Sequence, residues 1–256
     1  MAEVRSLARG LVILEKLADA PEGLGITELA EILGLDKGSV SRMVQTLAAH
    51  GFAEKDPLSR KYLLGPQIVS LSRTVLTRMP LRETAKPFLK ELVEITGECA
   101  HLAILAQGKA LYIDQVESTS ALRVTTGVGT MAPLYCTALG KVLLAFGEAP
   151  LPEELPPYTL RTITDPQLLV HHLEQVRSQG YAIDDEEYFH GVRCIAVPVY
   201  DFREKCVAAI GISGPDSRLT LERMPQMVRA VREIGEALSQ RLSFKRDNHL
   251  THKKNT

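Results

Sequence analysis

The stretch from Gly25 to Phe52, GITELAEILGLDKGSVSRMVQTLAAHGF, constrains the fold of this chain more than any other segment. Its apolar residues recur at spacings of three and four, which predicts two short helices. Thr27 can cap the first helix, Gly34 is a typical residue to end it, and Asp36 can cap the second. Two short helices joined by such a tight turn are typical of proteins that place the second helix in the major groove of DNA.

The predicted second helix has two chemically different sides. One side is apolar and contains Val40, Met43, Val44, Leu47 and Ala48. On the other side, Arg42 can make a bidentate contact to guanine or hold a phosphate, and Gln45 can pair with adenine. We therefore predict that this helix contacts DNA through Lys37, Ser39, Ser41, Arg42, Gln45 and Thr46.

A hairpin is predicted directly after the second helix, in the segment FAEKDPLSRKYLLG. Residues 56–59 have turn chemistry, and Arg60 and Lys61 lie at or near the tip. A basic tip beside the second helix suggests a wing that contacts the DNA backbone or the minor groove. A further one-sided helix, expected to pack behind the pair, contains Leu7, Leu11, Leu14 and Leu17. Residues 1–65 are thus predicted to form a winged helix–turn–helix domain.

The charge of this first segment favours a dimer. Residues 1–80 carry nearly as many acidic as basic residues, so the segment has no strongly basic surface. A weakly charged module gains affinity when two copies bind two half-sites of operator DNA. The pattern alone leaves a second interpretation open, in which the amphipathic helix pair serves packing only.

Length and composition set wider limits. The chain has 256 residues and a net charge of −1, which suits two domains and excludes a polybasic coat. It contains no run of about twenty apolar residues, so no membrane span is expected. The N-terminus lacks an apolar signal core, which predicts a cytoplasmic protein. Residues 245–256 are polar and basic and are expected to form a flexible tail.

The second half of the chain predicts a sensor domain in residues 81–244, preceded by a linker helix in residues 66–80. Alternation with period two predicts strands at residues 99–107, 110–118, 122–129, 181–187, 192–201 and 206–214. Helical spacing predicts helices at residues 84–96, 168–180 and 220–244, and a loop that enters a helix at residues 136–147. Hairpin strands with helices outside them favour an α+β fold with an antiparallel sheet.

Several patterns could carry other chemistry, and the sequence argues against them. Gly140-Lys141 lacks the glycine spacing and the hydroxyl residue of a phosphate loop. The acidic run of residues 184–187 is more typical of a solvated loop than of a metal site. No nucleophile–base pair accompanies Cys194, so no catalytic residue is predicted. A zinc site would require the fold to gather scattered residues, namely Cys99, His101, Cys136, His171, His172 and His190. We therefore expect neither a cofactor nor a metal.

Three segments of the second half are similar to a known family. They are CTALGKVLLA at residues 136–145, GYAIDDEEYFHGVRCIAVPVYD at residues 180–201 and AAIGISGP at residues 208–215. With the helix–turn–helix, they make the chain resemble the isocitrate-lyase-regulator, or IclR-type, family of bacterial transcription regulators over nearly its whole length. The resemblance implies a winged-helix domain, a linker helix and a GAF-like effector-binding domain. It also implies dimers, often paired into tetramers on operator DNA.

The resemblance further implies a small-molecule effector, in most relatives an organic acid or an aromatic catabolite. Carried over by position, the effector-binding candidates are Ala138, Leu139, Asp184, Cys194, Gly211 and Ser213. Some carboxylate-binding relatives have a hydroxyl residue at the position of Gly211, so this chain is expected to have a roomier pocket and not to bind a very small keto acid. Independently, peptide N–H groups around residues 137–140 and the Ser213 hydroxyl could bind a carboxylate. Apolar walls are expected from Val124, Leu134 and Ile195.

The leading hypothesis is a DNA-binding transcription regulator in which the effector, through the linker helix, changes the spacing of two recognition helices. The alternative is an enzyme that processes a small acid and carries an accessory winged helix. A winged helix used only for protein contacts is a third interpretation. The sequence leaves the effector, the operator and the sign of regulation open.

Overall fold

The chain divides into two compact units, and the division falls between Arg78 and Met79. The computed structural model describes residues 4–244. The division lies within the predicted linker, residues 66–80, and the predicted flexible tail, residues 245–256, lies outside the described residues. Among the helices of the described part, none is long and apolar enough to cross a membrane.

The N-terminal unit is a helical domain with a two-stranded hairpin. Its elements are α1 (Arg5–Ala18), α2 (Ile26–Leu33), α3 (Lys37–Ala49), β1 (Ala53–Lys55), β2 (Tyr62–Leu64) and α4 (Gln67–Thr77). The strands pair antiparallel. One apolar cluster forms the core, with Ile13, Leu17, Leu29, Ala30, Val40, Val44, Ala53 and Tyr62 buried. The predicted winged helix–turn–helix is confirmed.

The start of α2 differs from the prediction. Gly25, not Thr27, is the N-cap residue, and the Glu28 carboxylate accepts a hydrogen bond from the Gly25 N–H at 2.6 Å. The acidic side chain therefore satisfies a peptide N–H at the helix start, as in a capping box. A glycine offers no side chain for this purpose, which is why the sequence pattern pointed to the threonine instead.

The buried side of α1 also differs from the prediction. Leu7 and Leu11 are exposed, whereas Ile13 and Leu17 are buried in the core of the N-terminal unit. Helix α1 carries apolar residues on more than one side, in the sequence RSLARGLVILEKLA. Periodicity alone could therefore not select the side that packs against α3.

The C-terminal unit is built around one antiparallel sheet of six strands in the order β5-β4-β3-β8-β7-β6. Its helices are α5 (Pro80–Thr96), α6 (Ala138–Phe146), α7 (Pro166–Gln179) and α8 (Met224–Phe244). Its strands are β3 (Cys99–Ala106), β4 (Lys109–Val116), β5 (Met131–Ala132), β6 (Ala182–Asp185), β7 (Val192–Tyr200) and β8 (Cys206–Pro215). The predicted α+β class and antiparallel sheet are confirmed.

The two faces of the sheet carry separate apolar cores. Helices α5 and α8 cover one face, where larger side chains such as Leu102 and Ile210 are buried. Helix α6 packs on the other face, and α7 packs against α6. The strand residues beneath α6 are small, with Ala103, Ala196 and Ala209 in the same core. Small residues let the helix approach the sheet closely.

One predicted strand is wrong. Residues 122–129 form a loop, and the short strand β5 follows at Met131–Ala132. Gly129 has a φ angle of +95°, which a strand does not accommodate. The Gly129 N–H donates to the Tyr112 carbonyl at 2.8 Å, so the segment turns back towards β4 instead of extending the sheet.

Candidate DNA-binding and effector sites

Helix α3 is fixed at its start and along one side. Gly34 ends α2 with a φ angle of +62°, and the Asp36 carboxylate accepts a hydrogen bond from the Ser39 N–H at 2.8 Å. Hydrogen bonds from Ser39 hold the pKa of Asp36 below its usual value, so the cap stays ionised. Val40 and Val44 are fully buried. The rest of the helix surface is therefore presented in a defined orientation.

The predicted DNA-contacting residues of α3 lie on this outward side. Lys37, Arg42, Gln45 and Thr46 are exposed, and Ser39 and Ser41 are half-buried. Two hydrogen bonds order the polar groups along the helix: Arg42 Nη2 donates to Ser39 Oγ at 3.2 Å, and Gln45 Nε2 donates to Ser41 Oγ at 3.2 Å. Thr46 Oγ1 donates to the Arg42 carbonyl at 2.9 Å, which leaves its oxygen as an acceptor.

The hairpin tip is held by Asp56. Its carboxylate accepts hydrogen bonds from the Ser59 hydroxyl and from the Leu58 and Ser59 N–H groups, and these bonds lower its pKa. Arg60 follows with a φ angle of +60° and is exposed. Lys61 forms an ion pair of 3.7 Å with Glu28 of α2. Arg60 is thus exposed on the wing, whereas the charge of Lys61 is partly neutralised.

The C-terminal unit contains a cavity of about 260 Å³ between the sheet, the start of α6 and the loop before β5. It is lined by Tyr112, Val124, Thr125, Thr126, Gly127, Thr130, Ala132, Thr137, Asp184, Tyr188, Phe189, Val192, Cys194 and Ser213. Apolar and aromatic groups with a few converging hydroxyl groups are typical of small-molecule sites. Among the predicted effector residues, Asp184, Cys194 and Ser213 belong to this lining.

The other predicted effector residues lie beside the cavity. Ala138 and Leu139 form the first turn of α6, not a loop, and their side chains are buried in the core. Gly211 is paired with Ala196 of β7, and a Cβ atom added there would lie 2.2 Å from the Ile195 carbonyl oxygen. The missing side chain at Gly211 therefore accommodates the neighbouring strand.

The expected apolar walls are only partly in place. Val124 lines the cavity, whereas Leu134 and Ile195 are not among the lining residues. Leu134 packs in the core under α6, and Ile195 points to the opposite face of the sheet, in the core that α5 and α8 cover. The aromatic side chains of Tyr188 and Phe189 supply further walls, which the sequence did not indicate.

The acidic group at the cavity wall is largely desolvated. Burial raises the pKa of Asp184 to about 7, the strongest opposing influence being Lys141, which lowers it. Burial also raises the pKa of the neighbouring Cys194 thiol well above its usual value, with Asp184 adding to the shift. The Cys194 thiolate is therefore disfavoured, and a reactive nucleophile is not created here.

Lys141 is fully buried on α6, although a lysine is rarely buried without partners. Its ammonium group contacts the Glu187 carboxylate and the Ile183 carbonyl oxygen, and it lies 3.2 Å from His172 Nε2. The Glu187 N–H in turn donates to Asp184 Oδ1 at 2.7 Å. This network links α6 to the loop that carries two of the aromatic walls of the cavity.

The pair Gly140-Lys141 does not predict the role of Lys141, because its pattern suggests a phosphate loop that the neighbouring residues exclude. The available signal was a single charged residue inside the apolar run TALGKVLLAF, which requires a buried partner. The scattered histidines and cysteines are not gathered into a metal site: residues 4–244 contain no group of three or more potential ligands that could hold a metal ion.

Comparison with known sequences decides what these two units are. Residues 6–57 match the family described as the IclR helix-turn-helix domain, and residues 73–240 match the bacterial transcriptional regulator IclR C-terminal domain. The chain belongs to the IclR family of bacterial transcription regulators. Within this IclR-family chain, α3 lies in the DNA-binding domain, and the cavity lies in the C-terminal effector-binding domain.

Individual relatives agree over nearly the full length. This IclR-family chain is 37% identical over 251 residues to the HTH-type transcriptional regulator BhcR of Paracoccus denitrificans, which covers 95% of this chain and 89% of that protein. It is 32% identical over 248 residues to the transcriptional repressor IclR of Escherichia coli, covering 91% of this chain and 89% of that protein. The crystal structure of Thermotoga maritima IclR matches with a TM-score of 0.69 at 29% identity, over 94% of this chain and 100% of that one.

These findings confirm the predicted family, fold class and regulatory function. The relatives are named as transcription regulators, so the alternative of an acid-processing enzyme is set aside. The chain is a DNA-binding transcription regulator with an effector-binding domain.

Proposed function

We propose that two copies of this chain bind one operator, each placing the outward side of α3 in the major groove. The observation that carries this proposal is the polar, exposed side of a helix whose other side is buried at Val40 and Val44. The proposed contacts are Lys37, Ser39, Ser41, Arg42, Gln45 and Thr46 from α3, and Arg60 and Lys61 from the wing. Arg42 and Gln45 have the chemistry to contact base edges, and the others suit phosphates.

A homodimer is supported by α4 as well as by charge. Helix α4 has no buried residue, and its apolar side chains Val69, Leu71 and Val75 are 70%, 47% and 55% exposed. Such a surface favours contact with a second copy. Two half-sites would double the number of phosphate contacts, which compensates for the weak net charge of one domain. We propose that dimers pair into tetramers on DNA, as the family resemblance implies.

We propose a small organic acid, aromatic or aliphatic, as the effector in the 260 Å³ cavity. The Ser213 hydroxyl group and peptide N–H groups at the start of α6 can bind a carboxylate there. The Thr137 hydroxyl group already donates to the Pro133 carbonyl oxygen at 2.8 Å and therefore contributes to the cavity wall. The pKa of Asp184, raised by burial to about 7, lets this carboxyl group take up a proton near neutral pH, which reduces its repulsion of an anion. Tyr188 and Phe189 offer aromatic walls for the apolar part of the effector.

In the proposed mechanism, the effector stabilises one conformation of the C-terminal unit, and α4 transmits the change to the DNA-binding domain. The fit of two recognition helices to the operator then changes, because differential affinity for two conformations shifts their populations. The protein would act in the bacterial cytoplasm. Repression is the proposed sign of regulation, since relatives are named transcriptional repressor IclR and acetate operon repressor.

A fluorescence-anisotropy titration with DNA from the protein's own upstream region tests this proposal. It is run at two salt concentrations, with and without a panel of aliphatic and aromatic carboxylates. We expect saturable, salt-sensitive binding that one acid shifts. Arg42→Ala should weaken operator binding by about 1–3 kcal/mol and relax base specificity at the contacted position. The matched control is Arg229→Ala, which removes an exposed positive charge from α8 of the other unit.

The effector site is tested separately, by calorimetric titration of the acid that shifts DNA binding. Ser213→Ala and Cys194→Leu should weaken its affinity, whereas Ser178→Ala, at an exposed position of α7, should leave it unchanged. Unchanged operator affinity in Arg42→Ala would refute the α3 assignment. Unchanged acid affinity in both cavity variants would refute the cavity assignment without touching the DNA-binding one.

A further inference from the structure

The buried residue His101 contacts Ser213, one of the residues that line the proposed effector cavity. His101 on β3 is directly opposite Gly211 on β8, and only 2% of its surface is exposed. Residues directly opposite each other on neighbouring strands share a face of the sheet, as do residues two apart on one strand. Ser213 is two residues from Gly211, so the imidazole ring lies beside it.

Within the described residues, one of the two imidazole nitrogens of His101 has a hydrogen-bond partner and the other has none. His101 Nε2 lies 2.6 Å from Ser213 Oγ, and the ring meets the Tyr112 ring edge to face with centroids 5.6 Å apart. His101 Nδ1 is buried and has no hydrogen-bond partner within the described part of the chain. Burial lowers the pKa of His101 to about 4, so the ring is neutral at neutral pH. A neutral ring carries one N–H group, on either nitrogen.

The two placements of this proton differ in what they leave unsatisfied. A proton on Nδ1 would bury an N–H donor without an acceptor, and Nε2 would then consume the hydroxyl hydrogen of Ser213. A proton on Nε2 is donated to Ser213 Oγ and leaves only a bare acceptor at Nδ1. Orphaned buried N–H groups are the rarer case in proteins. The second placement also frees the Ser213 hydrogen. Within residues 4–244 its other acceptor is the Val124 carbonyl oxygen at 3.3 Å.

We propose that His101 is a specificity-determining residue of the effector cavity: it donates from Nε2 to Ser213 and thereby fixes Ser213 as a hydrogen-bond donor towards the effector. The cavity then selects molecules that present a carboxylate or carbonyl oxygen to Ser213 and disfavours those that present a hydroxyl hydrogen. The long bond to Val124 is readily exchanged for the stronger acceptor of an anion. This inference rests on the proposed function, in which the cavity holds the effector.

The first test reads the proton directly and needs no effector. In the full-length protein labelled with ¹⁵N-histidine, long-range ¹H–¹⁵N spectra distinguish the two neutral forms of an imidazole, and His101→Gln assigns the signal. We expect the Nε2–H form across pH 6–8. An Nδ1–H form, or a charged ring at neutral pH, overturns the proposal.

The second test measures selectivity with matched pairs of probes: benzoate with benzyl alcohol, lactate with 1,2-propanediol, and glycerate with glycerol. Calorimetry on the wild type should show that, in at least one pair, the acid binds more tightly than the alcohol. His101→Leu should reduce the ratio of acid affinity to alcohol affinity roughly tenfold, because Ser213 is then no longer fixed as the donor of its hydrogen bond to the charged acceptor. His101→Gln, which keeps an N–H donor of similar reach, should restore most of it.

The outcomes separate this inference from the proposed function. If His101→Leu keeps the wild-type ratio of acid affinity to alcohol affinity, the role of His101 is overturned. Binding of the acid in that variant would still support the cavity as the effector site. Tighter binding of the alcohols overturns the donor role of Ser213 and leaves the cavity in place. If no probe binds, the acid-binding cavity is refuted, and the proton position measured by NMR alone decides the assignment of His101.

Discussion

Asp184 lies at the cavity wall, and burial raises the pKa of its carboxyl group from 3.8 to about 7. Among its neighbours, Lys141 lowers this pKa and Glu187 raises it, so their charges partly cancel. In the unfolded chain the group titrates near 3.8. Between about pH 4 and pH 7 the folded protein keeps a proton that the unfolded chain has lost. The free energy of unfolding contributed by this group therefore falls as the pH rises through this window.

Asp184→Asn should remove this dependence. Asparagine keeps an oxygen for the Glu187 N–H, so the hydrogen bond of 2.7 Å can persist. We expect urea unfolding of the variant to vary less between pH 4 and pH 8, and the variant to be more stable than the wild type at pH 8, by at most about 4 kcal/mol for a shift of about three units. Glu222→Gln, an exposed control, should keep the wild-type profile. An unchanged profile in Asp184→Asn would assign the dependence to another group.

Lys141 illustrates a different energetic rule at the scale of single residues. Its ammonium group and the Glu187 carboxylate are almost fully buried, at 0% and 8% side-chain exposure. Lys141→Met leaves Glu187 buried without its cation and should lower the free energy of unfolding by about 3–5 kcal/mol. The double variant Lys141→Met/Glu187→Leu removes both charges. Its free energy of unfolding, measured with urea, should fall clearly less than that of the single variant. Equal losses in the single and double variants would show that the two charges are not coupled.

At the scale of elements, the helix–turn–helix depends on the backbone at Gly34. This residue ends α2 in the left-handed conformation, and an added Cβ atom would meet no neighbour within 4 Å. Gly34→Ala should therefore cost only conformational strain, about 1–2 kcal/mol in thermal unfolding of the N-terminal unit. Gly10→Ala is the matched control, because Gly10 lies inside α1 with equally open space. It should stabilise the unit by about 0.5–1 kcal/mol, and destabilisation there would contradict the strain argument.

Local chemistry made some elements predictable and others not. Helix α3 was predicted with its cap because Asp36, Gly34 and the apolar spacing all act within a few residues. The strand assigned to residues 122–129 failed because alternation also occurs in a loop, and only the pairing of β4 with β5 decides which residues join the sheet. The cavity joins residues from five strands and three loops. Tertiary packing decides which residues line the cavity. The family resemblance therefore predicted some of them, whereas the local sequence pattern could not predict the set.

At the scale of the whole molecule, the two units perform separate tasks that must be thermodynamically coupled. If the effector weakens operator binding by some factor, operator DNA must weaken effector binding by the same factor. The free energy available for this coupling is limited by how differently the effector binds the two conformations. The proposed dimer would amplify a small change in conformation, because both recognition helices would have to match half-sites at a fixed spacing.

The proposed dimer can be separated from DNA recognition at α4. Leu71 and Val75 lie four residues apart and share one side of this helix, where they are 47% and 55% exposed. Leu71→Ser/Val75→Ser should shift sedimentation towards the monomer and weaken operator binding at least tenfold, because each monomer then loses the contacts of the second half-site. Effector affinity should stay unchanged, since the cavity lies in the other unit. Leu160→Ser, which removes a fully exposed leucine elsewhere, should behave as the wild type. A double variant that remains dimeric would place the dimer contact on another surface and leave α3 as the DNA-contacting helix.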